Sequence, residues 1–166
     1  PTVLRIRNTS LEDLTKIVLE EDYDHVWDIL LSNRAFDQTD STGWTPLHAA
    51  ALLDAHFLIE PLVAAGCSPI KFNQLGDAPI HIAAARNSTK FLRRMLEPTS
   101  INVRKNNDFE SVALHSAVTY GSVEAVRILL DAGVDPNIRD FYGITPMHYA
   151  VVHQDQIGMV ELLAES

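Results

Sequence analysis

Apolar residues along this chain recur in short clusters at three- and four-residue spacing, which predicts helices with one buried face rather than alternating strands. Leu11, Leu14, Ile17 and Val18 form a first stripe, and Val26, Ile29, Leu30 and Leu31 a second. Beyond residue 40 the stripes come in pairs. The second member of each pair carries Leu58 and Leu62; Leu92, Met95 and Leu96; Val126, Leu129 and Leu130; and Val160, Leu162 and Leu163. The first member opens on a tetrapeptide that returns four times, as Thr45-Pro46-Leu47-His48, Ala78-Pro79-Ile80-His81, Val112-Ala113-Leu114-His115 and Thr145-Pro146-Met147-His148. Its histidines stand 33, 34 and 33 residues apart. Self-similarity at that period predicts a stack of helix pairs, each too small to bury its apolar face without a neighbour.

Each part of the repeat has a local reason. Thr45 and Thr145 are placed to cap a helix, and Pro46, Pro79 and Pro146 then occupy its first position, where proline costs no hydrogen bond. Gly43, Gly76 and Gly143 supply a turn residue free to take positive φ. Ala50, Ala83, Ala117 and Ala150 are small enough for close helix approach. Where the pattern lapses, Asp77 is expected to cap the second unit and Ser111 the third. Pro98 must end a helix, next to the one extra residue between His81 and His115. Pro61 requires the second helix of its unit to start late, near Phe57, and to be short or bent.

Four copies in phase resemble the ankyrin family. The first full copy reads Asp40-Ser41-Thr42-Gly43-Trp44-Thr45-Pro46-Leu47-His48-Ala49-Ala50-Ala51. The third keeps Gly121, Ile128-Leu129-Leu130, Gly133, Asp135 and Asn137, and the fourth restores Asp140-Phe141-Tyr142-Gly143-Ile144-Thr145-Pro146. The resemblance covers residues 40–163 and implies a single all-α domain, an ankyrin-repeat helical solenoid. Its four recognisable repeats would span 40–72, 73–106, 107–139 and an incomplete 140–166, behind a degenerate capping repeat at 10–39.

The same resemblance implies a non-catalytic module that grips another protein through its turn tips and the inner face of its first helices. Carried onto this chain, the partner-binding positions are Trp44, Leu52, Leu53, Leu75, Arg86, Phe109, Tyr120, Phe141, Tyr142, Tyr149 and His153. Trp44, Tyr120, Tyr142 and Tyr149 are expected to meet the partner, since exposed aromatics are common hot spots. Phe109, Phe141 and Ile144 are better placed to pack between neighbouring tips. Small acidic ankyrin proteins include IκB-like inhibitors that mask basic surfaces on Rel/NF-κB factors, and the expectation is an inhibitor of that kind, in the cytoplasm or nucleus. The alternatives are a binder resembling cyclin-dependent-kinase inhibitors, a host-directed effector, and a substrate-recruiting or scaffold subunit.

Charge sharpens the partner reading. The chain has 166 residues and a net charge of −9. Residues 1–40 carry −5, 41–70 carry −2, 71–105 carry +5 and 106–166 carry −7. Acidic ends repel nucleic acid and favour a basic surface or segment on a partner protein. Arg86, Lys90, Arg93, Arg94, Arg104 and Lys105 make the positive middle, read as a solvated helix face before an acidic-peptide or phosphate site. No apolar run reaches membrane-spanning length, and the lone Cys67 points to a reducing compartment.

No residue set suggests catalysis, a cofactor or a metal. His48, His81, His115 and His148 line up along the stack, but packed helices lie roughly 8–10 Å apart and zinc needs ligands at about 2.0–2.1 Å. Each imidazole is expected to bridge backbone groups of adjacent turns instead. Glu20-Glu21-Asp22-Tyr23-Asp24 lacks the alternation of a calcium loop and reads as a turn. A monomer or hetero-complex is expected. Met159 and Val160 or Leu163 are expected on an open edge of the last unit, either continued in a longer parent or covered by a partner or a second copy.

Overall fold

The computed structural model describes the backbone of residues 11–31, 43–97, 107–140, 142–152 and 157–165, and the side chains of 14–28, 43–97, 113–140, 142–152 and 157–165. Among these residues ten α-helices follow one another without a strand. They come in pairs: α1 (Leu11–Leu19) with α2 (Tyr23–Leu31), α3 (Pro46–Leu52) with α4 (Ile59–Ala64), and α5 (Pro79–Ala85) with α6 (Thr89–Leu96). The last two pairs are α7 (Asn107–Thr119) with α8 (Val123–Asp131), and α9 (Pro146–Val152) with α10 (Ile157–Ala164). First helices form one row, α1 on α3 on α5 on α7 on α9, and α4, α6 and α8 form a second row behind it. The fold is an all-α solenoid.

Helix starts follow the repeat chemistry. Pro46, Pro79 and Pro146 each take the first helical position. The turn before α3 needs glycine twice over: Gly43 has φ 75°, and a Cβ there would sit 3.0 Å from the Asn73 Cα and from the Gln74 nitrogen. A 3-10 turn, His56–Leu58, leads into the six-residue α4, with Pro61 in its first turn, so the proline shortens that helix as expected.

Two expected caps are corrected. Ser111 lies inside α7, which begins at Asn107, because Val112-Ala113 offers neither proline nor cap to stop the helix growing backwards. Ala78, not Asp77, is the N-cap of α5, and the His81 Nδ1 accepts its N–H at 3.0 Å.

The core runs unbroken along the stack. Leu47, Ile80 and Leu114 repeat at one level; Leu58, Leu62, Phe91, Leu92, Met95, Val126 and Leu129 fill the space between the two rows. Ala50, Ala51, Ala83, Ala84 and Ala117 are buried between first helices, where a methyl side chain lets backbones approach. Met159 and Leu163 are 1% and 5% exposed and belong to this core, not to an open edge. Starting α10 at Ile157 turns these two residues, four apart, onto one inward face and leaves Ile157 itself 71% exposed. Val160 is half-buried.

Two rows of hydrogen bonds tie unit to unit. In the first, the His48 Nδ1 accepts the Thr45 N–H at 3.1 Å, which leaves the proton on Nε2 to be donated to the Asp77 carbonyl at 3.0 Å. His115 reaches the Ile144 carbonyl in the same way at 2.9 Å. In the second, Asp54 and Asn87, both at φ 56°, accept from the third residue of the next unit's second helix: Asp54 Oδ1 from Phe91 N–H at 2.7 Å, Asn87 Oδ1 from Ala125 N–H at 2.9 Å. The third unit has Gly121 at that left-handed position, with φ 69° and no side chain to reach Met159.

Replacing His115 by alanine should therefore cost about 1–3 kcal/mol, the penalty for stranding buried polar partners. His148→Ala, on an exposed ring, should cost less than about 0.5 kcal/mol, and urea unfolding of both variants checks the contrast. Conversely, Gly121→Asn should stabilise by about 0.5–1.5 kcal/mol, since asparagine tolerates this backbone and restores the missing acceptor. Slower hydrogen exchange at the Met159 amide would mark the new bond.

Candidate functional site

Across the first helices runs a groove enclosing about 230 Å³, lined by Trp44, Leu52, Leu75, Asp77, His81, Ile82, Ala85, Arg86, Ser116 and Tyr120. Its floor comes from α3, α5 and α7 and its rim from two turn tips, so residues far apart in sequence meet because the units stack in phase. Five of the sequence-derived positions, Trp44, Leu52, Leu75, Arg86 and Tyr120, are brought together here. Leu53 is half-buried against the core beside them.

The tips are held by side chains at their base. Asn73 Oδ1 accepts the N–H groups of Leu75 and Asp77, each at 2.9 Å, and the Asp77 carbonyl closes the turn by accepting the Asn73 N–H at 2.9 Å. Asp140 repeats the design with Tyr142 and Ile144. With their backbones satisfied, the tip side chains project outward: Leu75 is 80% exposed, Tyr142 86%, and Tyr120 at the end of α7 72%. Such large apolar groups on one face are the usual mark of an interaction surface.

The expected contacts differ in how far they are exposed. Trp44 is half-buried, its ring centroid 5.7 Å from that of His48. Tyr149 is half-buried with both its ends engaged: the ring stands edge-on to His115 at 5.6 Å and the hydroxyl donates to Asp140 Oδ2 at 2.8 Å. Phe141 and His153, and the side chain of Phe109, lie outside the described residues. Phe72, exposed and with its ring 6.2 Å from that of His81, extends the apolar rim. Its only signal in the sequence was a large apolar residue in a turn otherwise made of Lys71, Asn73 and Gln74.

Electrostatics distinguish this face from the second-helix face. There Arg93 pairs with Glu124 at 3.2 Å, and Arg94 bridges Glu60 and Glu97, so two cations of the basic middle are spent as straps between units. In the groove, Arg86 is exposed.

Cys67 and His48 are both held in structural roles. Burial pushes the Cys67 thiol up to about 12, which keeps it protonated and unreactive as a nucleophile near neutrality. Both nitrogens of His48 are occupied by the Thr45 and Asp77 backbones and are closed to a metal. Among the described residues no three His, Cys, Asp or Glu side chains converge on a metal position, and no helix is long and apolar enough to cross a membrane.

The family model for ankyrin repeats matches three overlapping stretches, residues 14–107, 56–140 and 80–166. The chain belongs to the ankyrin-repeat family. It is 33% identical over 137 residues to the B-cell lymphoma 3 protein homolog of Mus musculus, a match covering 80% of this chain and 30% of that protein. A putative ankyrin repeat protein of fowlpox virus is 31% identical over 111 residues, 67% of this chain and 77% of the viral one. The nuclear factor NF-kappa-B p105 subunit of Gallus gallus is 25% identical across 93% of this chain, which spans 15% of it. The chain thus spans under a third of two of these relatives and most of the third. Ankyrin repeats are protein-interaction modules, and the family is in general non-catalytic.

The tip of this ankyrin chain's last unit carries a pH-sensitive element. Burial raises the Asp140 pKa, but hydrogen bonds from the Ile144 N–H, the Tyr149 hydroxyl and the Tyr142 N–H outweigh it and hold the carboxyl below its ordinary value. The Tyr149 hydroxyl is correspondingly raised, first by its bond to Asp140 and then by burial. A carboxylate held low contributes stability that is fully present above about pH 4 and is lost as pH falls through the lowered value. Asp140→Asn, which removes the charge at every pH, should therefore melt below the parent at pH 7, and the gap should close as the pH is lowered below about 4.

Proposed function

We propose that this ankyrin-repeat chain is a non-catalytic module that binds a partner protein through the groove and turn tips, and that binding masks a basic surface on a transcription factor in the manner of an IκB-like inhibitor. The observation that carries the reading is the groove itself. Trp44, Leu52, Leu75, Arg86 and Tyr120 line one depression although they belong to three units. Its 230 Å³ falls below the roughly 300–1,000 Å³ of small-molecule sites and suits one or two anchoring side chains of a macromolecule. The proposed contact set also takes in Tyr142, Tyr149 and Leu53, and, from the repeat pattern alone, Phe109, Phe141 and His153.

Inhibition by masking is supported by the net charge of −9, which steers a basic partner towards this chain, and by the likeness to the B-cell lymphoma 3 and NF-kappa-B p105 proteins. Both fit a place in the cytoplasm and nucleus. A second reading, a host-directed module of viral type, is favoured by one observation: the fowlpox protein is matched over 77% of its own length.

Titrating the chain with a purified Rel-type dimer, with and without its DNA, tests the proposal. Binding should compete with DNA and weaken as salt is added. Tyr120→Ala and Tyr142→Ala should each cost on the order of 2 kcal/mol of binding as hot spots while leaving melting unchanged, because both side chains are exposed. Full binding by these variants, combined with loss on substituting Lys90 and Arg93, would place the contact on the second-helix face and sink the groove reading.

A further inference from the structure

The groove's two charged residues sit at opposite ends of one helix. Asp77 precedes α5 by two residues and Arg86 is its C-cap. The seven residues of α5 at about 1.5 Å each set the backbones of these two residues roughly 10 Å or slightly more apart. Most of the remaining lining is apolar, from Trp44, Leu52, Leu75, Ile82, Ala85 and Tyr120, with His81 and Ser116 as its polar members.

Neither charge is met within the described protein. The Asp77 carboxylate lies 4.0 Å from His81 Nδ1, an atom already accepting the Ala78 N–H and so without a proton to offer. Arg86 shows no ion pair and no side-chain hydrogen bond among the described residues, in contrast to Arg93 and Arg94 on the neighbouring helix α6. The placement is also stable without a partner, because an acid before a helix start and a base at its end both suit the helix dipole.

We propose that the groove selects a peptide segment carrying a bulky apolar residue flanked by one basic and one acidic side chain, the basic group against Asp77 and the acidic group against Arg86. Extended chain advances about 3.3 Å per residue, so the two flanking charges stand three or four residues apart with the apolar anchor between them. The sign at Arg86 is opposite to that of the chain as a whole. A partner with a basic surface thus brings one acid into the centre of the contact, which fixes how that surface is seated. The inference rests on the groove being the partner-binding site.

Three fluorescein-labelled peptides test it by anisotropy. One holds Lys-Ala-Leu-Ala-Glu, the second the same frame with two lysines, the third with two glutamates. The mixed peptide should bind the parent chain roughly fivefold tighter than either like-charged peptide, the weight of one exposed ion pair. Arg86→Glu should make the double-lysine peptide the tightest, and Arg86→Gln should make the mixed and double-lysine peptides equal. Equal binding of all three to the parent, a ranking that ignores Arg86, or no binding of any at millimolar concentration would overturn the inference. Tyr120→Ala separates the two levels. If it weakens all three peptides alike while their ranking is flat, the charge frame fails and the groove survives; if it changes nothing for peptides that do bind, both fail.

Discussion

An imidazole whose two nitrogens face different repeats sets the geometry of this stack. In His48 the Nδ1 lone pair is committed to the backbone of its own turn, so the ring is held in one tautomer and Nε2 must donate. The acceptor is the carbonyl at the next turn tip, and a donor at fixed height finding an acceptor at fixed height leaves little freedom in how two units are rotated or shifted. His115 repeats the arrangement with Ile144. The close packing of Ala50, Ala84 and Ala117 between first helices is possible because this bridge sets the distance first, and the unbroken core follows from the packing.

That division of labour explains why the groove is free to be chemically unusual. Backbone satisfaction at the tips is handled by Asn73 and Asp140, register between second helices by Asp54 and Asn87, and the spacing of first helices by the histidines. Leu75, Tyr120 and Tyr142 hold none of these duties. Their apolar surface is left in water although removing each from solvent is favourable by about 25 cal/mol for every Å², a driving force stored for association. On the opposite face Arg93 and Arg94 are consumed by cross-unit ion pairs, so of the sequence's positive middle these two serve as straps at the back while Arg86 lines the groove.

What was legible in the sequence was whatever recurs. Proline at the first helical position, glycine in the turn and histidine three residues into the helix each act through neighbours within a few residues, so a one-dimensional pattern records them. The groove positions followed because phase along the stack converts equal spacing into one face. Links that occur twice in unlike guises were not legible. Asp54 and Asn87 differ in residue type and act on a helix 37 and 38 residues away, and nothing local to an acid and an amide betrays that they do one job. The lapses were misread for a related reason: Ser111 and Asp77 look like caps only if the helix is assumed to begin where the motif does. Met159 was misplaced because its facing is set by where α10 begins, and a shift of one residue rotates a helix by about 100°.

Cys67 lends the fold a property of a different kind. It is the single cysteine of the chain, it lies just past the end of α4, and it is 3% exposed. A thiol kept protonated and covered reacts with an alkylating reagent only while its surroundings are open, so its labelling rate counts the openings of this helix pair. The molecule therefore carries its own clock for local unfolding, set between the first full unit and the next, and readable in any mixture without an added tag.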